Sequence, residues 1–160
     1  MDTTIIVAIL AAAAAVIAAW IGISRQTRKK TDKKLDIYQI LGTQLYQVRR
    51  HGATIRELLG NDPGPDFAED IVAAIKAFRD ACDCLQDMVG ANRLLISKNT
   101  FDGFVELISA SAEMINSLNL TMSGTLAPDQ AVGELTDRGR VFQQRLIVVE
   151  NSLSKEVHKL

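Results

Sequence analysis

A few side chains stand at spacings that chemistry uses. Asp80, Asp83 and Asp87 fall at i, i+3 and i+7, which on a helix gathers three carboxylates on one face. Calcium, however, takes about six to eight oxygens from a wrapping loop, and a stripe of single helical acids has no such wrap. The pattern therefore reads as a solvated face. Cys82 and Cys84 are the only thiols, and two residues apart on a helix they point to different sides, so a bond between them is geometrically poor. A nucleophilic thiol needs exposure and a histidine base, whereas Cys82 lies on an apolar stripe and reads as a reduced core residue. The histidines are His51 and His158, and neither stands three residues after a glutamate, as the di-metal bundles require. Arg49, Arg50 and Arg56 form a basic patch suited to lipid phosphates or an acidic partner, or to pairing with acids of a neighbouring helix. No glycine-rich phosphate loop stands between a strand and a helix. These residues point away from an enzyme, and they imply neither cofactor nor metal.

Charge is segregated along the chain. The formal net charge is −1, yet residues 25–34 hold Arg25, Arg28, Lys29, Lys30, Lys33 and Lys34 against Asp32, a balance of +5. Residues 35–160 hold 12 bases and 17 acids, a balance of −5, which argues against nucleic acid as a partner. The basic block sits directly behind the run Thr3 to Ser24, TTIIVAILAAAAAVIAAWIGIS, which contains no charge.

That run has the properties of a membrane anchor. Its 19 apolar residues, Ile5 to Ile23, rise about 28 Å as a helix, close to the hydrocarbon thickness. Eight are alanines of near-neutral insertion energy, and the larger aliphatics supply about −3 to −5 kcal/mol. A signal peptide would place its bases before the run rather than after it. A buried or surface-lying helix would show a polar face, and none exists. Bases next to a span stay cytoplasmic, so the six bases predict the N-terminus outside and the C-terminal bulk in the cytoplasm of a bacterial inner membrane. Ala11, Ala15 and Ala19, or Ala14, Ala18 and Gly22, would let two such spans approach closely.

The rest reads as helices. Only 5% of the chain is aromatic and prolines are few, which disfavours sheets. A first apolar stripe runs Ile37, Leu41, Leu45, Val48, Gly52, Ile55, Leu59, with Leu35 and Tyr38 beside it, ending at the turn Gly60–Pro65. It follows the apolar run without Gly or Pro, so the two can form one long helix. A second runs Phe67, Ile71, Ile75, Phe78, Cys82, Leu85, Val89 and stops near Gly90. A third runs from a Thr100 cap through Phe104, Ile108, Ala112, Ile115 and Leu118 to Ser123-Gly124. A fourth starts near Pro128 and reads Val132, Leu135, Gly139, Phe142, Leu146, Val149, Leu153. The expected fold is all-α: an anchor at 1–24, a basic segment at 25–34, and an up-and-down bundle of about four helices over 35–160.

The fourth segment carries a coiled-coil-like seam with Ile147 and Val148 outside it, so Leu146 to Val149 is apolar around most of the helix. Gly139, Ile147 and Val148 are the expected partner surface, with Gly139 suited to close backbone approach. The stretches KKLDIYQILGTQLYQVRR and RLLISKNTFDGFVELISA resemble small bacterial single-pass inner-membrane proteins of unknown function with an N-terminal anchor and a cytoplasmic helical domain. That resemblance implies architecture, without an activity or a site residue. The reading that follows is an anchored, non-enzymatic accessory or scaffold protein that binds the bilayer and either a protein partner or a second copy. The alternative is a tethered sensor or effector whose bundle core binds a small apolar ligand.

Overall fold

The computed structural model describes the backbone of residues 3–60, 66–125 and 128–159, with side chains at 28–60, 66–125 and 130–159. Four helices follow in order: α1 Thr3–Gly60, α2 Phe67–Ala91, α3 Lys98–Met122 and α4 Pro128–Val157. No strand occurs among the described residues. The chain divides into two units, Met1–Asp36 and Ile37–Leu160. In the first, α1 begins at Thr3 and continues unbroken through the apolar run and the basic block. The side chains of the run, of Arg25 and of the two alanine faces lie outside the described residues. Among the described residues no helix is long and apolar enough to cross a membrane.

The second unit is a four-helix bundle whose pairings can be read residue by residue. Along α3 and α4, Ser117 meets Glu134, Glu113 meets Arg138 and Glu106 meets Arg145, so one number falls as the other rises. Along α1 and α4, Tyr38 meets Glu156 and Arg49 meets Glu150. On the α2 side of α1, the Gln44 amide donates to the Ala81 carbonyl at 2.9 Å. Neighbours in the chain therefore run antiparallel, as short connections demand. The exposed ion pairs are each worth about 0–1 kcal/mol, so they mark register more than they hold the fold.

The core fills the centre with Tyr38, Leu41, Val48, Ile71, Phe78, Leu85, Phe104, Leu107, Phe142 and Val149. Phe78 and Phe142 meet edge to face, with centroids 5.4 Å apart and planes at 82°. Gly52 lets them reach α1: a Cβ there would stand 3.1 Å from Phe142 Cε1 and 3.4 Å from Phe78 Cε2. At the end of α3, Gly124 takes φ +68° and its N–H bonds the Thr121 carbonyl at 3.1 Å. This is the left-handed stop that a glycine provides without steric cost.

Several details differ from the sequence expectations. The cap of α3 is Ser97 rather than Thr100: the Ser97 hydroxyl accepts from the Thr100 N–H at 3.4 Å, and Thr100 is buried. The buried face of α3 is also rotated. Leu107, Ala110, Ser111, Met114 and Ser117 point inward, while Ala112 is exposed and Ile108 and Ile115 are half-buried. The small residues explain the rotation, since α4 packs directly on them and Gly103 faces Val149. Tyr38 lies in the core instead of beside it, whereas Leu59 and Val132 are exposed, Val132 by 67%. In α4, Ala131 takes the inward position that Val132 was expected to hold.

Candidate functional site

The α4 surface is built on a narrow buried stripe. Phe142, Leu146, Val149 and Leu153 turn inward, following the 3.5-residue repeat that seats one side of a helix. Ile147 and Val148 lie between them in sequence and outside them in space, exposed by 55% and 48%. Two adjacent β-branched side chains therefore stand half-exposed beside the buried Leu146, Val149 and Leu153. Val141 adds another exposed apolar side chain two turns earlier, on the Val148 side of α4.

Gly139 does not share this role. It is half-buried, and a Cβ there would meet nothing within 4 Å, so no backbone approaches it closely. Its absence of side chain leaves only the helix-propensity cost. Gly139→Ala should therefore raise stability by up to about 1 kcal/mol, and Gly52→Ala should lower it by about 1 kcal/mol or more through overpacking. Thermal melts of the full chain in mild detergent, followed by helical circular dichroism, read both; equal shifts in one direction would overturn the contrast.

The basic segment is partly described. Arg28, Lys29, Lys30 and Lys33 are exposed and Lys34 is half-buried. The second basic patch divides its attention: Arg49 pairs with Glu150 at 2.9 Å, and Arg56 lies against the Gln143 amide, whose oxygen accepts from both terminal nitrogens once the amide is turned over. Arg49 thus bonds an acid of α4, its neighbour across the bundle.

The residues with nucleophilic or metal-binding character are dispersed. Asp80, Asp83 and Asp87 are all exposed. Among the described residues no group of three or more His, Cys, Asp or Glu is placed to hold a metal ion. A shallow depression is lined by Glu134, Asp137, Arg138 and Val141. Three charged walls out of four suit a polar contact better than an apolar ligand.

Cys82 is buried and Cys84 half-buried, and both are free thiols. Burial pushes the Cys82 thiol up to about 11, with a Ser111 hydrogen bond opposing and Asp83 reinforcing the rise. Near pH 8 its thiolate fraction falls about 100-fold below that of an ordinary cysteine, so a water-soluble disulfide reagent should label Cys84 first. The same shift couples folding to pH. The unfolded thiol ionises near pH 9 while the folded one keeps its proton, so stability should fall by about 2–3 kcal/mol between pH 9 and 11. Tyr38, also raised by burial and by the Glu156 carboxylate, adds a slope of the same sign above pH 10. Cys82→Ala should flatten the loss between pH 9 and 11; an unchanged slope would show that the thiol is not its source.

No protein family, curated protein or solved structure matches the chain.

Proposed function

We propose that this protein is a membrane-anchored, non-enzymatic accessory protein that acts by binding another protein, or a second copy of itself, through α4. The observation that carries this reading is the exposure of Ile147 and Val148 beside the buried Leu146 and Val149. Leaving two large aliphatic side chains half in water forgoes roughly half of what full burial supplies, about 1 kcal/mol each. An interface core recovers that energy, and apolar anchors at its centre dominate binding.

The anchor rests on the apolar run Ile5 to Ile23 and the six bases behind it. Charge next to a span sets its direction, which gives an inner-membrane location with the bundle in the cytoplasm. The same features agree with the resemblance to small single-pass inner-membrane proteins.

The test uses the full chain in its own membrane. Crosslinking followed by mild detergent extraction should recover the chain with a stoichiometric protein partner or as a dimer. Ile147→Asp combined with Val148→Lys should keep helix content and membrane attachment while removing that partner. Retention of the partner by the double variant sinks the α4 surface, and loss of the fold makes the two residues core.

A further inference from the structure

The outward side of α4 carries a second seven-residue repeat, set apart from the one that seats the helix in the bundle. Val141 and Val148 stand seven residues apart, Gln144 and Asn151 follow each of them by three, and all four are exposed. Positions three and four apart are neighbours on a helix surface, so these side chains form one strip along α4. The strip is charged at its ends. Glu134 and Asp137 continue it toward the N-terminus of α4 and Lys155 toward the C-terminus, all three exposed. From 134 to 155 it is about 32 Å long. At its acidic end lies the shallow depression lined by Glu134, Asp137, Arg138 and Val141.

A strip that is acidic at one end and basic at the other is complementary to itself turned end for end. Laid antiparallel on a second α4, with the two-fold axis at the height of Leu146, it sets Val148 against Gln144 of the second copy and Val141 against Asn151 of the second copy. The same register brings Lys155 to Asp137 of the second copy, at the depression, and symmetry makes that contact twice. Asp137 is held by Arg140, three residues on, at 3.0 Å with both side chains largely exposed, a bond that a lysine can replace. Ile147 flanks the strip and meets its own copy across the axis. Arg145 flanks the other edge and also meets its copy, but its charge is answered by Glu106 at 2.6 Å. A parallel pair would instead lay Glu134, Asp137 and Lys155 each on its own like charge.

We propose that this face of α4 docks a second copy of the chain, in an antiparallel pair with two-fold symmetry. The proposal rests on the α4 surface put forward above, names its occupant, and concerns the bundle alone. Covering Val141, Ile147 and Val148 removes apolar surface from water. Gln144 and Asn151 fix the register, as polar residues within an apolar seam do. The charged ends select the antiparallel direction, because like charges brought together across an interface oppose the other one.

The test uses the full chain in mild detergent, which leaves every direction of approach open. Sedimentation should show a dimer that Lys155→Glu weakens about tenfold or more, since the new carboxylate faces Asp137. Asp137→Lys should weaken it as well, and the two changes together should restore it. All these positions are exposed, so helix content and melting temperature should hold in every variant. Oxidative crosslinking, in a background of Cys82→Ala and Cys84→Ser, reads the direction. Chains with Val141→Cys and chains with Asn151→Cys should join each other when mixed and stay apart when alone, whereas Ile147→Cys should join its own copy. A monomeric chain, a crosslink of Val141→Cys to itself, or a double charge change that fails to restore the dimer overturns the pairing. A monomer that instead holds a different protein, released by Ile147→Asp with Val148→Lys, overturns the second copy as occupant and leaves the α4 surface standing. A dimer that survives that double variant overturns the surface and the pairing together.

Discussion

Phe142→Ala should cost the bundle about 3–5 kcal/mol, a large part of the 5–15 kcal/mol that holds a typical domain folded. The ring is almost wholly buried, meets Phe78 edge to face, and lies where α1 offers only Gly52. Removing it deletes the aromatic pair and leaves a void beside a residue with no side chain to relax into it. The loss therefore sits at the upper part of the range for phenylalanine, because the cost of a cavity depends on how well its walls can collapse. Denaturant unfolding of the full chain in mild detergent measures the change. A cost below about 1 kcal/mol would mean that α1 and α4 do not share this core. The comparison with Gly139→Ala on the same helix is informative, since the two substitutions lie one turn apart and should move stability in opposite directions.

On the anchored reading we propose, replacing the six bases at 25–34 with glutamine should scramble the orientation of the chain. Within the sequence, Asp2 is the only charged side chain ahead of the apolar run, so the bases carry nearly all the bias. Translocating a lysine or arginine is disfavoured strongly enough that short flanking segments set topology. A reporter active only in the cytoplasm, fused after Leu160, should give full signal with the native bases and a mixed population without them. Full cytoplasmic signal from the neutralised chain would show that the folded bundle, and not the bases, decides direction. A reporter that is active only outside, fused to the native chain, would overturn the location itself.

Helix number, order and most boundaries were legible because each segment carries a strong apolar repeat between turn residues. Seven expected core positions of the second segment illustrate this: all but the half-buried Phe67 are buried in α2. The third segment was less legible for a definite reason. Its inward face keeps the expected Phe104 and Leu118 but fills the space between and beside them with Gly103, Ala110, Ser111 and Ser117 as well as Leu107 and Met114, and the small residues have a hydropathy that does not announce a core. A hydrophobic count drawn from Ile108, Ala112 and Ile115 therefore points to a neighbouring face. Helix α4 docks on the small side chains, and that tertiary choice is invisible to periodicity. Ser97 was missed because Thr100 is also a good cap, and only the turn geometry decides between them. The outward positions of Ile147 and Val148 were readable, since both fall off the seam. That of Leu94, exposed in the α2–α3 turn, was not, because an apolar triplet in a turn gives no hint of which member faces out.

Gly52 has a consequence for how this sequence can change over time. Among the described residues of α1, the only core position without a side chain is the one that receives the Phe142 ring, so the two sites form a lock whose halves cannot drift independently. A larger residue at 52 is tolerable only once 142 has shrunk, and a smaller residue at 142 invites a larger one at 52. Diverging copies of this chain should thus exchange bulk across the α1–α4 seam in paired steps, each intermediate being less stable than either end.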